Sequence, residues 1–289
     1  MRFRAPASSA NLGAGFDCAA AALDLWNELE VTANGSGGPH VEIEGEGAGE
    51  LASDAEHLTL RAFALFAPPE RHRFRFVNRI PLERGLGSSA AAIALGLVAG
   101  AAAAGAEPTA DELLAAGAPL EGHADNLAAA LLGGVCVAWS QGGGPVAARL
   151  ADDLPLAAVV AVPGGRTSTH AARATLPATV AHGDAAATVA SAMLLGAALA
   201  GGDASLLRGA FDDRLHEPYR LATAPLLAEL RERPPKHAAG VTLSGSGPSV
   251  VVWAEADDVE ALTGELERSL PESTTVLPLA VARRGAGPA

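Results

Sequence analysis

Residues 81–92 read Pro-Leu-Glu-Arg-Gly-Leu-Gly-Ser-Ser-Ala-Ala-Ala and run, with no charge or proline, into an Ala/Leu/Ile segment ending near Ala104. An alanine-rich run of this length is a strong helix former, and the glycines ahead of it permit backbone angles closed to other residues. The pattern therefore dictates a loop that feeds an apolar helix. Ser88 and Ser89 suit the cap of that helix. The free N–H groups and positive dipole end of such a start suit an anion such as phosphate.

One Gly/Ser loop is weak support for a ligand, because most are turns. Here two more stand far away, at 6–17 and 244–249, each bordered by an expected strand or helix. Three together point to a binding site assembled from distant parts of the chain. Composition narrows the ligand. The 289 residues are 49% hydrophobic with 4% aromatic, which favours a packed core of small aliphatics over disorder. A net charge of −13 argues against a general nucleic-acid or anionic-membrane surface, so a phosphate must be held by local donors. Lys236 is the single lysine, in a Pro-Pro-Lys-His turn. A P-loop needs Gly-Lys-Ser/Thr and is absent, as are protein-kinase signatures, and a Schiff-base mechanism would rest on a poorly placed amine. Cys18 and Cys136 lack CxxC spacing and read as buried thiols in a reducing compartment. The N-terminus carries no apolar signal core, and the apolar run 90–104 is too short for a membrane span. A soluble, cytoplasmic protein is expected.

Strands are expected at 2–5 (ended by Pro6), 29–33, 40–43, 73–78, 135–139, 156–162, 241–243, 250–254 and 276–281, with turns at 34–38 and 141–145. Helices are expected at 56–66, after Ser88, from Thr109-Ala-Asp-Glu112 to near Leu120, up to Gly133, and over 167–176, 184–200 and 257–270. This mixture predicts an α+β protein, divided into 1–150 and 151–289. Trp26, Trp139 and Trp253 read as core. His123, His170 and His216 lack metal-ligand spacing and read as structural hydrogen-bonding groups.

The chain resembles the GHMP small-molecule kinases and, within them, the homoserine kinases. Pro-Ala-Ser-Ser-Ala-Asn-Leu-Gly-Ala-Gly-Phe-Asp (6–17), Gly-Leu-Gly-Ser-Ser-Ala-Ala (85–91) and Leu-Ser-Gly-Ser-Gly-Pro-Ser (243–249) are similar to the three family motifs. Glu-Gly-His-Ala-Asp-Asn (121–126), Thr-His-Ala-Ala-Arg (169–173) and Asp-Arg-Leu-His-Glu-Pro-Tyr-Arg (213–220) extend the match over essentially the whole chain. The resemblance implies a ribosomal-protein-S5-like N-terminal domain, a ferredoxin-like C-terminal domain, a site between them, and a homodimer. It implies transfer of the γ-phosphate of ATP to the hydroxyl of L-homoserine.

On that resemblance Pro81, Arg84, Gly85, Leu86, Gly87, Ser88, Ser89, Ala90 and Ala91 would wrap the triphosphate with Gly245, Ser246 and Gly247. Ser88 and Glu121 would hold Mg²⁺. Asn11 and Asp17 would accept from the substrate ammonium, and Arg173 and Arg220 would hold its carboxylate. Arg214 is a rival to Arg220. Thr169, four residues before Arg173, shares its helix face. No general base stands out. Relatives of the mevalonate-kinase type are taken to use an aspartate with a lysine, and Lys236 is remote from every motif. Asp125 and Asn126 occupy the catalytic region: Asn126 would hold the substrate, with Asp125 the alternative base. Glu83 departs from the family pattern, standing where a small residue is usual, with Arg84 able to offset it. The segment 121–126 is shorter than in some members. The alternatives are a kinase for another alcohol (mevalonate or shikimate) and a nucleotide-binding homologue without turnover.

Overall fold

The computed structural model describes residues 1–34 and 38–289; most of the turn expected at 34–38 lies outside the described residues. The first half runs β1 (Arg2–Asn11), β2 (Gly15–Ala33), β3 (His40–Gly45), α1 (Leu58–Phe63), β4 (His72–Asn78), α2 (Ser88–Ala104), α3 (Ala110–Glu121), α4 (Asp125–Leu132), β5 (Val135–Gln141) and β6 (Gly144–Ala151). The second runs β7 (Ala157–Val162), α5 (Thr169–Ala174), α6 (His182–Gly201), α7 (Ala204–Ala210), α8 (Glu217–Arg220), α9 (Pro225–Glu232), β8 (Gly240–Leu243), β9 (Val250–Ala254), α10 (Val259–Ser269) and β10 (Thr275–Leu279), then β11 (Gly287–Pro288).

The first sheet has the order β11-β1-β2-β4-β3, and β5 and β6 continue it from the early part of β2. Two stretches of β2 serve different neighbours: Ala19–Ala21 pair with β5, and Glu28–Ala33 pair with β4. β1 does not stop at Pro6, as the sequence led us to expect. Its register shifts between Pro6 and Ala7, and proline is tolerated at such a bulge because no ladder donor is required there. Continuation past Pro6 carries Ser8, Ser9 and Asn11 into the interior.

α2 is buried on nearly every side, from Ala90 to Ala101. Gly96 and Gly100 let the α1 backbone approach closely, since a Cβ at either position would strike backbone oxygens of Thr59 or Phe63. A capping box of Thr109 and Glu112 starts α3, and its last residue is Glu121.

The second sheet has the order β10-β7-β9-β8 with all neighbours antiparallel. With α5–α9 between β7 and β8 and α10 before β10, this is the ferredoxin-like β-α-β-β-α-β arrangement. Strand alternation decides its two faces. Val160 and Trp253 share the large core with Phe3, Phe63 and Phe74 of the first half. Val159 and Val252 face a separate core with Leu227 and Leu230 of α9 and Leu262 and Leu266 of α10. The two halves are thus fastened by one continuous apolar interior, and β11 returns the chain to pair Phe3 and Arg4 of β1.

A further sequence expectation fails. Trp139 is 44% exposed, on the β5–β6 hairpin and outside the core, unlike Trp253. The helix expected over 184–200 is α6, whose 20 residues have the length and hydropathy (1.5) of a membrane span. It packs on α7 and β6 and leaves Val189 and Met193 exposed.

Candidate functional site

The three Gly/Ser segments meet, joined mostly by backbone atoms. Ser8 N donates to Leu86 O at 3.0 Å, Gly245 N to Ala10 O at 3.1 Å, and Ser249 N to Arg84 O at 3.3 Å. The Ser244 hydroxyl lies 2.7 Å from Gly85 O and 2.9 Å from Ser9 Oγ. Gly85 and Gly87 take left-handed φ values of 74° and 65°; a Cβ on Gly85 would strike Ser244 O, and one on Gly87 would strike Ser8 Oγ. The glycines are required by close approach as well as by conformation.

These contacts border a cleft of about 510 Å³. At one wall α2 begins with Gly87 as its N-cap, and no side chain caps it. The serine cap expected from the sequence is absent, so the first-turn N–H groups stay available to an anion. Arg84, Gly85, Leu86, Gly87, Ser88 and Ser89 line this wall, with Gly245 and Ser246 from the third segment. Pro81, Ala90, Ala91 and Gly247 do not line it; Ala90 and Ala91 are fully buried behind it. Arg84 is turned to the carbonyls of Leu82, Pro163 and Gly164, and so does not offset Glu83. That residue is exposed, has φ 54°, and lies 4.0 Å from Arg166.

The Glu121 carboxylate accepts from Ser89 Oγ at 2.7 Å. The geometry pairs Glu121 with the second serine of the motif, not with Ser88. Burial pushes the Glu121 carboxyl up to about 7, and only the Ser89 hydroxyl opposes this strongly. A carboxylate and a hydroxyl beside an open helix start form a donor set suited to a hard divalent cation completed by phosphate oxygens and water. Among the described residues no group of three or more His, Cys, Asp or Glu gathers to hold a metal alone.

At the other end, Asp17 and Arg173 form a two-pronged ion pair, 2.8 and 2.9 Å. Asn11 is used at both ends of its amide: Oδ1 accepts from Asp17 N at 3.0 Å, and Nδ2 donates to Gly245 O at 2.9 Å. It fixes Asp17 to the third segment, lines the cleft itself, and keeps a second lone pair on Oδ1. Arg220 also lines the cleft, whereas Arg214 sits outside it with Asp184 and Asp212. The Arg220 side chain is 2% exposed. Its Nη1 reaches Gly245 O at 3.1 Å and His216 Nδ1 at 3.2 Å, its Nε has no partner, and no carboxylate pairs with it among the described residues. Desolvation lowers its pKa, with Asp17 acting against the shift. Phe16 lies beneath both arginines, 5.5 Å from Arg220 and 6.0 Å from Arg173.

Between the two ends, Asn126 Oδ1 accepts from Ser8 Oγ at 2.8 Å, and the buried Asp125 accepts from Asn126 N at 2.7 Å. Burial raises the Asp125 carboxyl, with His123 and Arg173 opposing. Thr169 reaches Ser246 Oγ at 3.3 Å across the cleft. His123 keeps a buried Nδ1 with no partner.

Sequence reasoning missed the far end of the cleft, lined by Asn27, His57, Thr59, Phe76 and Asn78. His57 Nδ1 accepts from Thr59 N at 3.2 Å, capping α1, and the ring stacks on Phe76 at 4.6 Å. Its Nε2 and the Thr59 hydroxyl are buried without partners. The one signal available was His57 and Thr59 at the start of the apolar pattern of α1, just after the acidic stretch 54–56.

Known proteins resemble this chain throughout. The family model described as "GHMP kinases N terminal domain" matches residues 54–134. A homoserine kinase from Streptomyces coelicolor is 41% identical, over 98% of this chain and 96% of its own length. One from Clavibacter michiganensis is 40% identical, over 99% and 92%. The crystal structure of homoserine kinase from Cytophaga hutchinsonii superposes with a TM-score of 0.87 at 24% identity, over 99% and 96%. L. major mevalonate kinase, solved with R-mevalonate, shares the fold at TM-score 0.70 and 17% identity, over 98% and 96%. With relatives of this identity matched nearly end to end, and with the fold in common, the chain belongs to the homoserine kinases of the GHMP kinase family.

Proposed function

We infer that this chain transfers the γ-phosphoryl group of ATP to the hydroxyl of L-homoserine. The observation that carries the reading is Arg220, a buried guanidinium with no carboxylate partner among the described residues, lining a cleft that the uncapped start of α2 also lines. A buried unpaired charge is costly, and an arriving carboxylate relieves it. Homoserine carries a carboxylate and an ammonium at one end and a hydroxyl at the other. Arg220 and Arg173 hold the carboxylate, and Asp17, freed in part from Arg173, accepts from the ammonium. The hydroxyl then points toward the α2 start, where the triphosphate lies along the Gly85–Ser89 loop.

Mg²⁺ would be held by Glu121 and Ser89 together with phosphate oxygens, and when bound it supplies charge neutralisation on the triphosphate. The chain's own residues do the rest by placement. The α2 N–H groups stabilise charge on the transferred group. Asn126, fixed by Ser8, holds the acceptor hydroxyl through its amide N–H. Asp125, whose basicity burial raises, stands beside Asn126 to receive the hydroxyl proton where positioning alone does not suffice. Asn27, His57, Thr59, Phe76 and Asn78 form the nucleoside end. The chain divides near 150/151, amended at both ends: β6 keeps Ala151 in the first half by pairing it with Val135, and β11 joins the last residues to the first half.

A coupled ADP-release assay across homoserine, shikimate, mevalonate and galactose tests the reading. Turnover with homoserine far above the others is expected. A preference for an acceptor without an α-amino acid end defeats it, and tight ATP binding with no turnover on any alcohol makes the chain a binding protein.

A further inference from the structure

His216 sits directly behind the acceptor end and touches both parts that build it. The residue is fully buried. Its Nδ1 lies 3.2 Å from Arg220 Nη1, and its Nε2 lies 3.1 Å from Gly13 O. A guanidinium offers only donors and a carbonyl only accepts. Nδ1 must therefore accept from Arg220, and Nε2 must carry the proton that it donates to Gly13. The neighbours fix the tautomer without reference to pH. Burial also keeps the ring neutral, with its pKa lowered to about 4 while Asp213 acts in the opposite direction.

The ring is held on its remaining sides. Phe16 stacks on it at 4.8 Å and 19°. Asp213 accepts from the backbone N–H groups of Leu215, His216 and Glu217, anchoring the start of α8, and its Oδ2 lies 3.6 Å from Nε2. Gly13 belongs to the tight turn between β1 and β2, a few residues ahead of Asp17, while Arg220 ends α8. One imidazole therefore sets the distance between the Asp17 carboxylate and the Arg220 guanidinium. Among the described residues the only other hydrogen bond from the Arg220 side chain goes to Gly245 O, from the same Nη1 at 3.1 Å, with the Phe16 ring beneath at 5.5 Å. With that contact alone the guanidinium pivots, and its remaining N–H groups lose their aim.

We propose that His216, held as the neutral Nε2–H tautomer between Gly13 O and Arg220, is a positioning residue that sets the affinity of this site for its amino-acid acceptor. The proposal rests on Arg220 reading the substrate carboxylate. It assigns His216 no contact with substrate.

Steady-state kinetics of H216L and H216Q, with thermal melts of each, test it. H216L is expected to raise KM for homoserine about tenfold, the scale of one hydrogen bond to a charged group. Both kcat and KM for ATP stay within about threefold, because the nucleotide end does not touch this residue. H216Q keeps an acceptor and a donor and recovers most of the loss. A folded H216L with unchanged KM for homoserine overturns the proposal. So does a parallel shift of both KM values and kcat with a fall in melting temperature, the mark of a structural role alone. Should H216L not fold, the ¹⁵N signals of the wild-type imidazole decide: an unprotonated Nδ1 and protonated Nε2 at neutral pH support it, and the reverse tautomer or an imidazolium overturns it. A wild type that leaves homoserine untouched defeats the functional reading itself, whereas normal wild-type turnover with an unmoved H216L defeats only the role of His216.

Discussion

The two ends of the cleft are built by opposite means. The phosphate end is nearly one run of sequence, residues 84–89, and its donors are mostly backbone N–H groups at the start of α2. The acceptor end brings Asp17, Arg173 and Arg220 together from three distant parts of the chain, and its donors and acceptors are side chains. The first needs the loop to adopt its φ values and to meet the first and third Gly/Ser segments through mostly backbone contacts. The second needs the hairpin turn after β1, the α5 segment and α8 to dock correctly. A backbone site suits a nucleotide common to many kinases, and a side-chain site suits the part of the reaction that must discriminate between acceptors.

Substitutions that strike one end and spare the other test this contrast, and the largest effect is expected at Arg220. R220M should lower kcat/KM for homoserine by roughly a thousandfold, on the scale of truncating one partner of a buried charged pair, with KM for ATP little changed. The same substitution removes an uncompensated buried charge, so the melting temperature without substrate should hold or rise. Equal losses for both substrates would erase the distinction between the ends.

G87A should do the reverse. A methyl group would strike Ser8 Oγ and approach Asn126 Oδ1 at a left-handed φ. A loss of about 1–3 kcal/mol in denaturant unfolding is expected, with a raised KM for ATP. An unperturbed KM for ATP would remove the helix start from the phosphate site.

A titration separates the nucleoside end from both. Burial lowers the His57 pKa to about 4, against 6.5 when exposed. Between these values the unfolded chain binds the proton that the folded protein excludes. The stability tied to this group is therefore complete above pH 6.5 and is lost as pH falls toward 4, by up to about 1.4 kcal/mol per pH unit. Glu217, pushed up to about 7 by burial, gives the opposite slope between 4.5 and 7, so the test is a difference. H57F should lack one such slope relative to wild type in denaturation curves from pH 4.5 to 6.5, and parallel profiles would refute the buried neutral ring.

The smallest effect is expected at the rim. Glu83 is a non-glycine residue at φ 54°. E83G should stabilise the protein by about 0.5–1 kcal/mol by relieving that strain, since the exposed contact with Arg166 contributes little. A loss of stability would show that the ion pair outweighs the backbone strain.

Much of this molecule was legible in its sequence, for local reasons. β9 appears at its expected bounds because a run of only five apolar residues, three of them valine, between a Gly/Ser turn and an acidic stretch favours a buried strand over a helix. The α3 start was marked by its capping box. The contrast between Trp139, 44% exposed, and Trp253, 1% exposed, was not legible: both sit in apolar strands, and only the neighbouring layers differ. The choice of Ser89 over Ser88 as partner of Glu121 was hidden for a similar reason. Adjacent helix residues point about 100° apart, and only the docking of α3 against α2 selects which one meets the carboxylate.

The sequence by itself determined the phosphate loop, the helix it feeds, the alternating strands and the acidic, lysine-poor composition that excludes other phosphate chemistries. These follow from backbone freedom, propensity and periodicity, which act over a few residues. Tertiary structure alone decided that Asn11 braces Asp17, that Arg220 is buried without a carboxylate partner among the described residues, and that His216 holds it. The contacts that lock them, Asn11 to Gly245 and His216 to Gly13, join residues 234 and 203 apart in the chain, and no local rule fixes that.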